Sequence, residues 1–314
     1  MKVAISGIAG ALAQKVALQL LDEGHQVLGI DRRAWPGAPE GIQVFRADIR
    51  KRPAEEVFRT ERPEAFIHMA TVTHLSASPG LRARVNLGGT RSLFEHCAGY
   101  GVKQALFISR HTVYGAAPDT ALYRTEAEPP LAATTFPELA DLVAADLFAG
   151  SALWRWPKLQ TAVLRMVYTL GPTVRGPLAN LLESDRVPTV FGFDPLFQFI
   201  HEDDAAAAIA QAVGSKLRGV FNVTGPRPIA LNMICRETGS QPVPIPEPLF
   251  RHFPGRFGFP RLPAGAGEHL KYPVVVSGEL FQQETGFEHR FSAEETLAAF
   301  AERRRRGRST ESGR

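Results

Sequence analysis

The chain has 314 residues, of which 44% are hydrophobic and 22% charged, and its formal net charge is +4. An ordinary apolar fraction without a short repeat argues against disordered, collagen-like and coiled-coil classes. No apolar run approaches the roughly 18 residues that a transmembrane helix needs. Cys97 and Cys235 are the two cysteines and lie far apart, so the sequence indicates neither a disulfide framework nor a zinc site.

The positive charge is concentrated at the C-terminus. Residues 303–314 contain six arginines and one acid, whereas the remaining 302 residues carry 30 basic and 31 acidic side chains. The sequence therefore predicts a nearly neutral body and a disordered Arg-rich tail over 303–314. This distribution argues against nucleic acid as a partner, with contact of the tail with nucleic acid or an anionic surface kept as a weaker alternative.

The N-terminal forty residues predict a β-turn-α-β unit. Val3–Ser6 is β-rich, apolar residues at helical spacing follow Gly10, and a second strand ends at Asp31. Further strands are predicted at Ile42–Phe45, Ala65–Met69, Ala105–Ile108 and Thr161–Met166, and helices at Ala54–Thr60, Arg82–Cys97 and Pro137–Leu153. This alternation predicts an α/β fold with a doubly wound parallel sheet. Because the start of the chain runs directly into a strand, we expect a cytoplasmic protein.

The domain organisation is predicted from where the alternation stops. Residues 1–170 form the expected Rossmann-type domain, and 171–300 are mainly a smaller, Pro-rich substrate lobe. The segment over about 199–224 is expected to return to the first domain. Open α/β sheets bind ligands at the carboxyl ends of their strands, so the lobe should cover that edge.

A glycine pattern follows the first strand, as Gly7-x-x-Gly10-x-x-Ala13. Such a turn lets the backbone approach a pyrophosphate at a helix N-terminus, where unpaired N–H groups favour anions. Asp31 closes the second strand, where a carboxylate can accept hydrogen bonds from ribose hydroxyls. The pattern predicts dinucleotide binding, and the alternative is a tight turn without a ligand.

In order along the chain, these motifs resemble the extended short-chain dehydrogenase/reductase family, in its epimerase/dehydratase group that includes UDP-glucose 4-epimerase. The matching segments are Ala47–Ile49, Ile67–Ala70, Asn86–Thr90, Ser109–Gly115, Arg165–Pro172 and Phe199–Asp204. The resemblance implies a cofactor site made by Gly7, Gly10, Ala13, Asp31, Arg32, Asp48, Ile49, Met69, Ala70, Asn86 and Ser109. It implies NAD as cofactor; Arg32 and Arg33 could clasp a 2′-phosphate and so leave NADP open. It also implies a homodimer through the helices near Arg82–Cys97 and Pro137–Leu153.

The catalytic residues of the resembled family are missing. That family uses a Ser or Thr, a Tyr, and a Lys four residues after the Tyr. Arg110 stands at the Ser/Thr position, and the tyrosine is expected between Phe136 and Leu139. No tyrosine occurs over 124–167, and no lysine over 104–157. Phe197 or Gln198 also replaces the arginine that pairs with a nucleotide-sugar diphosphate, which makes an apolar or smaller ligand the rival of a sugar nucleotide.

Candidate replacements lie near the missing groups. His111, beside Arg110, should have a lowered pKa that suits a base, and Tyr168 occupies the family's asparagine position close to the substrate. The alternative is that both are packing residues. The histidine spacing indicates no metal site, and Arg82 and Arg84 are interpreted as a solvated helix face.

Two functions stay open: an NAD(P)-binding epimerase/dehydratase-like enzyme acting on a sugar nucleotide or other small hydroxy or carbonyl compound, and a catalytically silent dinucleotide-binding sensor or assembly protein.

Overall fold

A computed structural model describes residues 1–73, 77–174, 176–250, 252, 254–263 and 265–311, with only the helical backbone over 307–311. The strands are β1 (Lys2–Ser6), β2 (Gln26–Asp31), β3 (Ile42–Arg46), β4 (Ala65–His68), β5 (Gln104–Arg110), β6 (Tyr123–Arg124), β7 (Gln160–Met166), β8 (Tyr168–Leu170), β9 (Arg186–Val190), β10 (Leu196–Phe197), β11 (Phe199–His201), β12 (Gly219–Val223), β13 (Ile229–Ala230), β14 (Gln241–Ile245) and β15 (Val275–Val276).

The α-helices are α1 (Ala11–Asp22), α2 (Arg52–Glu61), α3 (Pro79–Ala83), α4 (Thr90–Gly99), α5 (Ala132–Thr135), α6 (Ala140–Arg155), α7 (Pro177–Glu183), α8 (Glu202–Ala212), α9 (Leu231–Thr238), α10 (Glu247–Phe250), α11 (Ala266–His269), α12 (Glu279–Thr285) and α13 (Ala293–Glu311). A π-helical turn, Arg84–Gly89, joins α3 to α4, and short 3₁₀ turns cover His111–Tyr114 and Pro137–Leu139.

The main sheet has seven parallel strands in the order β12-β7-β5-β4-β1-β2-β3. This confirms the predicted doubly wound α/β fold. The chain moves outward from β1 in one direction through β2 and β3, and then in the other direction from β4. The change of direction lies between β1 and β4, and such a switch point opens a crevice beyond the carboxyl ends of the strands.

Apolar side chains cover both faces of this sheet. On one face, Val16 and Leu20 of α1 and Ile209 of α8 are fully buried in a cluster with strand residues. On the other face, Phe58 of α2 and Phe94 of α4 are equally buried. Burial on both faces explains why the strands are continuous apolar runs rather than alternating ones.

The chain after β8 builds a smaller lobe with its own core. Leu178, Phe199, Leu231 and Phe300 are almost completely buried in that core. Within 199–224, β12 pairs with β7 in the main sheet, and α8 packs on α1. No helix in the described part of the chain is long and apolar enough to cross a membrane.

The Arg-rich end differs from its prediction as a disordered tail. In the structure α13 continues to Glu311, and Arg303 forms an ion pair of 2.6 Å with Glu183. The guanidinium of Arg304 is buried and donates to the Thr238 carbonyl at 2.8 Å and the Ser240 hydroxyl at 2.7 Å. Composition suggested disorder because it does not show that lobe carbonyls lie within reach of these arginines.

Candidate functional site

The turn between β1 and α1 is shaped by close backbone approach. Gly7 has a φ of +81°, and a Cβ there would lie 2.9 Å from the backbone of Met69 and Ala70. Gly10 caps α1 without a side-chain hydrogen bond, and the first turn of α1 has no acidic residue. The helix N-terminus therefore presents N–H groups to a surface free of bulky side chains, which fits an anionic phosphate. Ala13, one turn further, is buried against the sheet.

Two carboxylates stand at the edge of this turn. Asp31 accepts hydrogen bonds from the Ala9 N–H at 3.1 Å and the Arg33 N–H at 2.9 Å, and the Arg33 side chain lies 3.6 Å away. Asp48 is held by both Nε and Nη2 of Arg50, at 2.9 and 2.6 Å. The hydrogen bond from the Arg50 side chain lowers the pKa of Asp48 to about 2. Both carboxylates are therefore held as fixed acceptors, and Asp31 contacts the glycine turn directly.

The β4 side of the crevice is supported from behind. His68 is fully buried and bonds the Ser6 hydroxyl at 2.7 Å and the Thr90 hydroxyl at 2.9 Å. Asn86 is also fully buried, and its side-chain amide pairs with both backbone groups of Val72. The Asn86 side chain thus fixes the loop after Met69 and Ala70, and its contact with a cofactor stays a prediction. Ile49 is buried against Gly89 in the same region.

A charged network lies under the end of β5. The Ser109 hydroxyl donates to Asp146 at 2.5 Å, and Asp146 forms a two-point ion pair with Arg165 at 2.6 and 3.1 Å. Asp146 and Arg165 are 1% and 3% exposed. The Arg165 guanidinium also lies 4.7 Å from the ring centre of Tyr114. The Ser109 side chain is thus engaged with the protein and fixes the strand that carries Arg110.

Arg110 ends β5 at the carboxyl edge of the sheet and is partly exposed. Its guanidinium has no hydrogen bond or ion pair within the described ranges, unlike those of Arg82, Arg124 and Arg165. Burial lowers the pKa of Arg110, while the nearby Tyr168 and Asp141 act in the opposite direction. The group remains a cation at neutral pH, since arginine is effectively never deprotonated in proteins.

His111 and Tyr168, the two candidate replacements, lie in contact. Their ring centres lie 4.6 Å apart with an edge-to-face angle of 85°, and Tyr168 also stacks on Phe197 at 5.7 Å. His111 Nδ1 lies 3.2 Å from the Met166 carbonyl, so Nδ1 carries the proton and Nε2 is left as an acceptor. The hydroxyl of Tyr168 has no protein partner among the residues that the structure describes.

The protonation states limit what these two groups can do. Burial is the main cause that lowers the pKa of His111 to about 3, with smaller contributions from His269 and Arg110. The predicted direction is confirmed, but the main cause is burial rather than the neighbouring arginine. Burial also raises the pKa of Tyr168 to about 12. At neutral pH, His111 is therefore a neutral acceptor and Tyr168 a hydroxyl donor, and a catalytic role for either stays a prediction.

The region expected to hold the tyrosine and lysine contains a different pair. The lysine position falls within 140–143, and Asp141 there bonds the Asn86 amide and lies 3.5 Å from Arg82. Arg82 also donates to the Glu138 carbonyl at 2.8 Å and is 4% exposed. The interpretation of Arg82 as part of a solvated helix face is therefore wrong, because α3 turns this side chain toward α6. The Arg82–Asp141 pair was not identified from the sequence, although an aspartate at the expected lysine position was a signal for it.

Two further contacts join segments that are distant in the sequence. Phe136, in the expected tyrosine window, packs edge-on against His269 of α11 at 5.6 Å. Burial lowers the pKa of His269 to about 4, and its Nε2 atom is buried with no hydrogen-bond partner in the described part of the chain. Glu202, at the start of α8, accepts from the N–H groups of Thr173 and Val174 at 2.8 and 2.7 Å. No pattern in the sequence pointed to the packing of His269 on Phe136 or to the hydrogen bonds of Glu202. Within the described ranges, no group of three potential metal ligands is present.

Comparison with known proteins places this geometry in a family. The model of the NAD dependent epimerase/dehydratase family matches residues 3–224. A Mycobacterium tuberculosis protein of uncharacterised function is 29% identical over 210 residues, which cover 65% of this chain and 55% of that protein. The chain thus matches about half the length of this relative. A 3-diazoavenalumate denitrifying reductase from a Streptomyces species is 28% identical over 73% of this chain and 77% of its own length.

Solved structures show the same fold. The Thermus thermophilus UDP-glucose 4-epimerase in complex with NAD superposes with a TM-score of 0.79 at 22% identity, over 97% of this chain and 99% of that one. A dTDP-glucose 4,6-dehydratase from Streptomyces venezuelae with NAD bound has a TM-score of 0.76 at 19% identity, over 99% and 98%. The family match spans most of the chain and includes the glycine turn, Asp31 and the β5 edge. The chain belongs to the NAD-dependent epimerase/dehydratase family.

Proposed function

We propose that this chain binds NAD and uses it in a redox step on a small hydroxy or carbonyl compound. The observation that carries the proposal is the shared edge of the sheet: the glycine turn with Asp31 and the polar residues Arg110, His111 and Tyr168 all follow parallel strands at their carboxyl ends. A sugar nucleotide remains one substrate candidate. The Phe197 side chain, buried and stacked on Tyr168, favours a substrate with an apolar part.

The residues fit the cofactor that the family implies. Gly7 and Gly10 would admit the pyrophosphate at the α1 N-terminus, and Asp31 would accept from the adenosine ribose. Asp48, Ile49, Met69 and Ala70 would line the adenine and central parts. When bound, NAD supplies the hydride acceptor or donor. Arg32 and Arg33 are exposed beside Asp31 and keep NADP as the second candidate.

This chain's own contribution would be binding and charge stabilisation rather than the Tyr–Lys proton transfer of the resembled family. Tyr168 holds its proton and can donate a hydrogen bond, and Arg110 can stabilise negative charge on the substrate. Asp141, fixed by Asn86 and Arg82, occupies the expected lysine region as an acceptor. The reductase name of the Streptomyces relative supports a redox reaction.

Calorimetric titration with NAD, NADH, NADP and NADPH tests the cofactor part. We expect binding of NAD and NADH, and an Asp31→Ala variant should bind about 10- to 100-fold more weakly, since a hydrogen bond to a charged group contributes about 1.5–3 kcal/mol. Glu40→Ala is the matched control, because Glu40 is an exposed carboxylate. If none of the four nucleotides binds, the proposal fails.

A sensor or assembly protein is the second candidate, favoured by the missing tyrosine and lysine. Absorbance of bound NADH during a screen of sugar nucleotides, alcohols and ketones separates the two. Turnover that depends on Tyr168 supports the enzyme, whereas nucleotide binding without turnover across the screen supports the sensor.

A homodimer through α4 and α6 is a further proposal, supported by the exposed Leu147 and Trp154 on α6, and sedimentation of the intact chain tests it.

A further inference from the structure

Arg110 has no hydrogen-bond or ion-pair partner among the described residues and stands at the carboxyl edge of the main sheet. The Arg110 guanidinium lies at the end of β5, and across the sheet Arg110 is in register with Met166, two residues before Tyr168. No acceptor within the described ranges takes its N–H groups, whereas Arg165, one strand away, donates from Nε and Nη2 to Asp146. A partly desolvated cation without a counter-charge is costly, and proteins retain one where a ligand supplies the charge.

The surrounding groups leave this cation uncompensated. Asp141, a carboxylate whose charge acts on Arg110, is already bonded to Asn86 and paired with Arg82. His111 and His269 are neutral at pH 7 because burial lowers the pKa of each, and Tyr168 retains its proton because burial raises the pKa of its hydroxyl. The other buried cation nearby, Arg124, is held by the Tyr114 and Gly115 carbonyls at 3.2 and 2.8 Å. Arg110 is thus the cation of this region whose N–H groups have no acceptor among the described residues.

The geometry points to Arg110, together with the Tyr168 hydroxyl, as the binding site for a carboxylate of the substrate, whose apolar or aromatic body packs on Tyr168 and Phe197. This inference rests on the proposed function and narrows its substrate class to small carboxylic acids. A single guanidinium fork matches the two oxygens of a carboxylate. A diphosphate carries more charge than this one free cation can offset, and the apolar stack of Tyr168 on Phe197 offers it no donor beyond one hydroxyl.

The test uses calorimetric titration of the full chain, with and without saturating NADH, by benzoate, phenylacetate, benzamide and inorganic phosphate. The variants are Arg110→Met, Arg110→Lys and Tyr168→Phe. The control is Arg91→Met, because Arg91 is an exposed arginine on α4 that pairs only with Glu95. Thermal unfolding of each variant verifies that it is folded.

We expect the carboxylates to bind the wild type and the Arg91→Met control equally. Arg110→Met should weaken that binding about 10- to 100-fold, Arg110→Lys by less, and Tyr168→Phe several-fold, with benzamide at least about tenfold weaker than benzoate. The inference is overturned if neither carboxylate binds the wild type, if Arg110→Met binds benzoate as the wild type does, if benzamide equals benzoate, or if phosphate binds more tightly. If the wild type does not bind NADH, the proposed function is contradicted instead. The two outcomes are distinguishable because the titrations without NADH still measure the carboxylate site.

Discussion

Two ends of the crevice at the sheet edge are formed by different groups: the cofactor end, around Gly7, and the substrate end, around Arg110. Around Gly7 the surface consists of backbone, with Asp31 as the main side chain, and a Cβ at Gly7 would already collide with the backbone just after β4. Around Arg110 the surface consists of side chains, and an Arg82–Asp141 pair lies near where the resembled family places tyrosine and lysine. A backbone site is tied to the fold itself, whereas a side-chain site can be rebuilt without moving a strand. This contrast explains how the family membership is clear although the family's tyrosine and lysine are missing.

The substrate end depends on buried charge, so the largest effect is expected there. Asp146→Ala leaves Arg165 buried without its counter-charge and should lower the free energy of unfolding by about 3–5 kcal/mol. Urea denaturation measures this, with the exposed Asp119→Ala as control, for which we expect less than about 0.5 kcal/mol. A loss below about 1 kcal/mol for Asp146→Ala would show that water or another group compensates Arg165.

The cofactor end should be most sensitive to an added methyl group. Gly7→Ala combines a left-handed backbone with a clash against Ala70, and we expect a loss of about 3 kcal/mol in unfolding free energy together with loss of nucleotide binding. Gly24→Ala is a matched control, since Gly24 has a φ of +80° but open space around it; it should cost only about 1 kcal/mol. Equal effects in the two variants would mean that the close approach to Met69 and Ala70 is unimportant.

The Arg82–Asp141 pair provides a smaller effect that still distinguishes the two ends. Arg82→Met removes the ion pair and the hydrogen bond to Glu138, and should cost about 2 kcal/mol while leaving NADH affinity unchanged. Arg84→Met, two residues along the chain and exposed, serves as control. If both variants are equally stable, Arg82 behaves as the solvated residue that the sequence suggested.

Acid should destabilise both ends gradually. Burial lowers the pKa of His68 and of His111 to about 3 in the folded chain, so both remain neutral there, whereas unfolded histidine binds a proton below about pH 6.5. Their contribution to stability is therefore complete above about pH 6.5 and is lost toward about pH 3, by up to about 1.4 kcal/mol per pH unit for each histidine.

Urea denaturation at about pH 7.5 and pH 5.5 measures this loss. His68→Gln should show a smaller difference between the two pH values than the wild type, whereas His25→Gln, at a less buried position, should not. An unchanged difference in His68→Gln would contradict the assignment to His68.

Much of the fold and of the cofactor end follows from the sequence alone. The order of strands and helices, the glycine turn and Asp31 could be predicted because each depends on local periodicity and on the short-range geometry of a strand-turn-helix unit. The absence of a Tyr and Lys pair was also readable directly, since no placement of the chain can supply residues that are not there.

The roles of the remaining residues depend on how the elements pack in three dimensions. Arg82 and Asp141 are 59 positions apart and Arg304 and Ser240 are 64 apart, so their pairing required the packed helices. Burial, which sets the protonation of His111 and Tyr168, is likewise a property of all surrounding elements. For the same reason the free guanidinium of Arg110 could not be recognised from the sequence: that a side chain lacks a partner is known only when every neighbour has been placed.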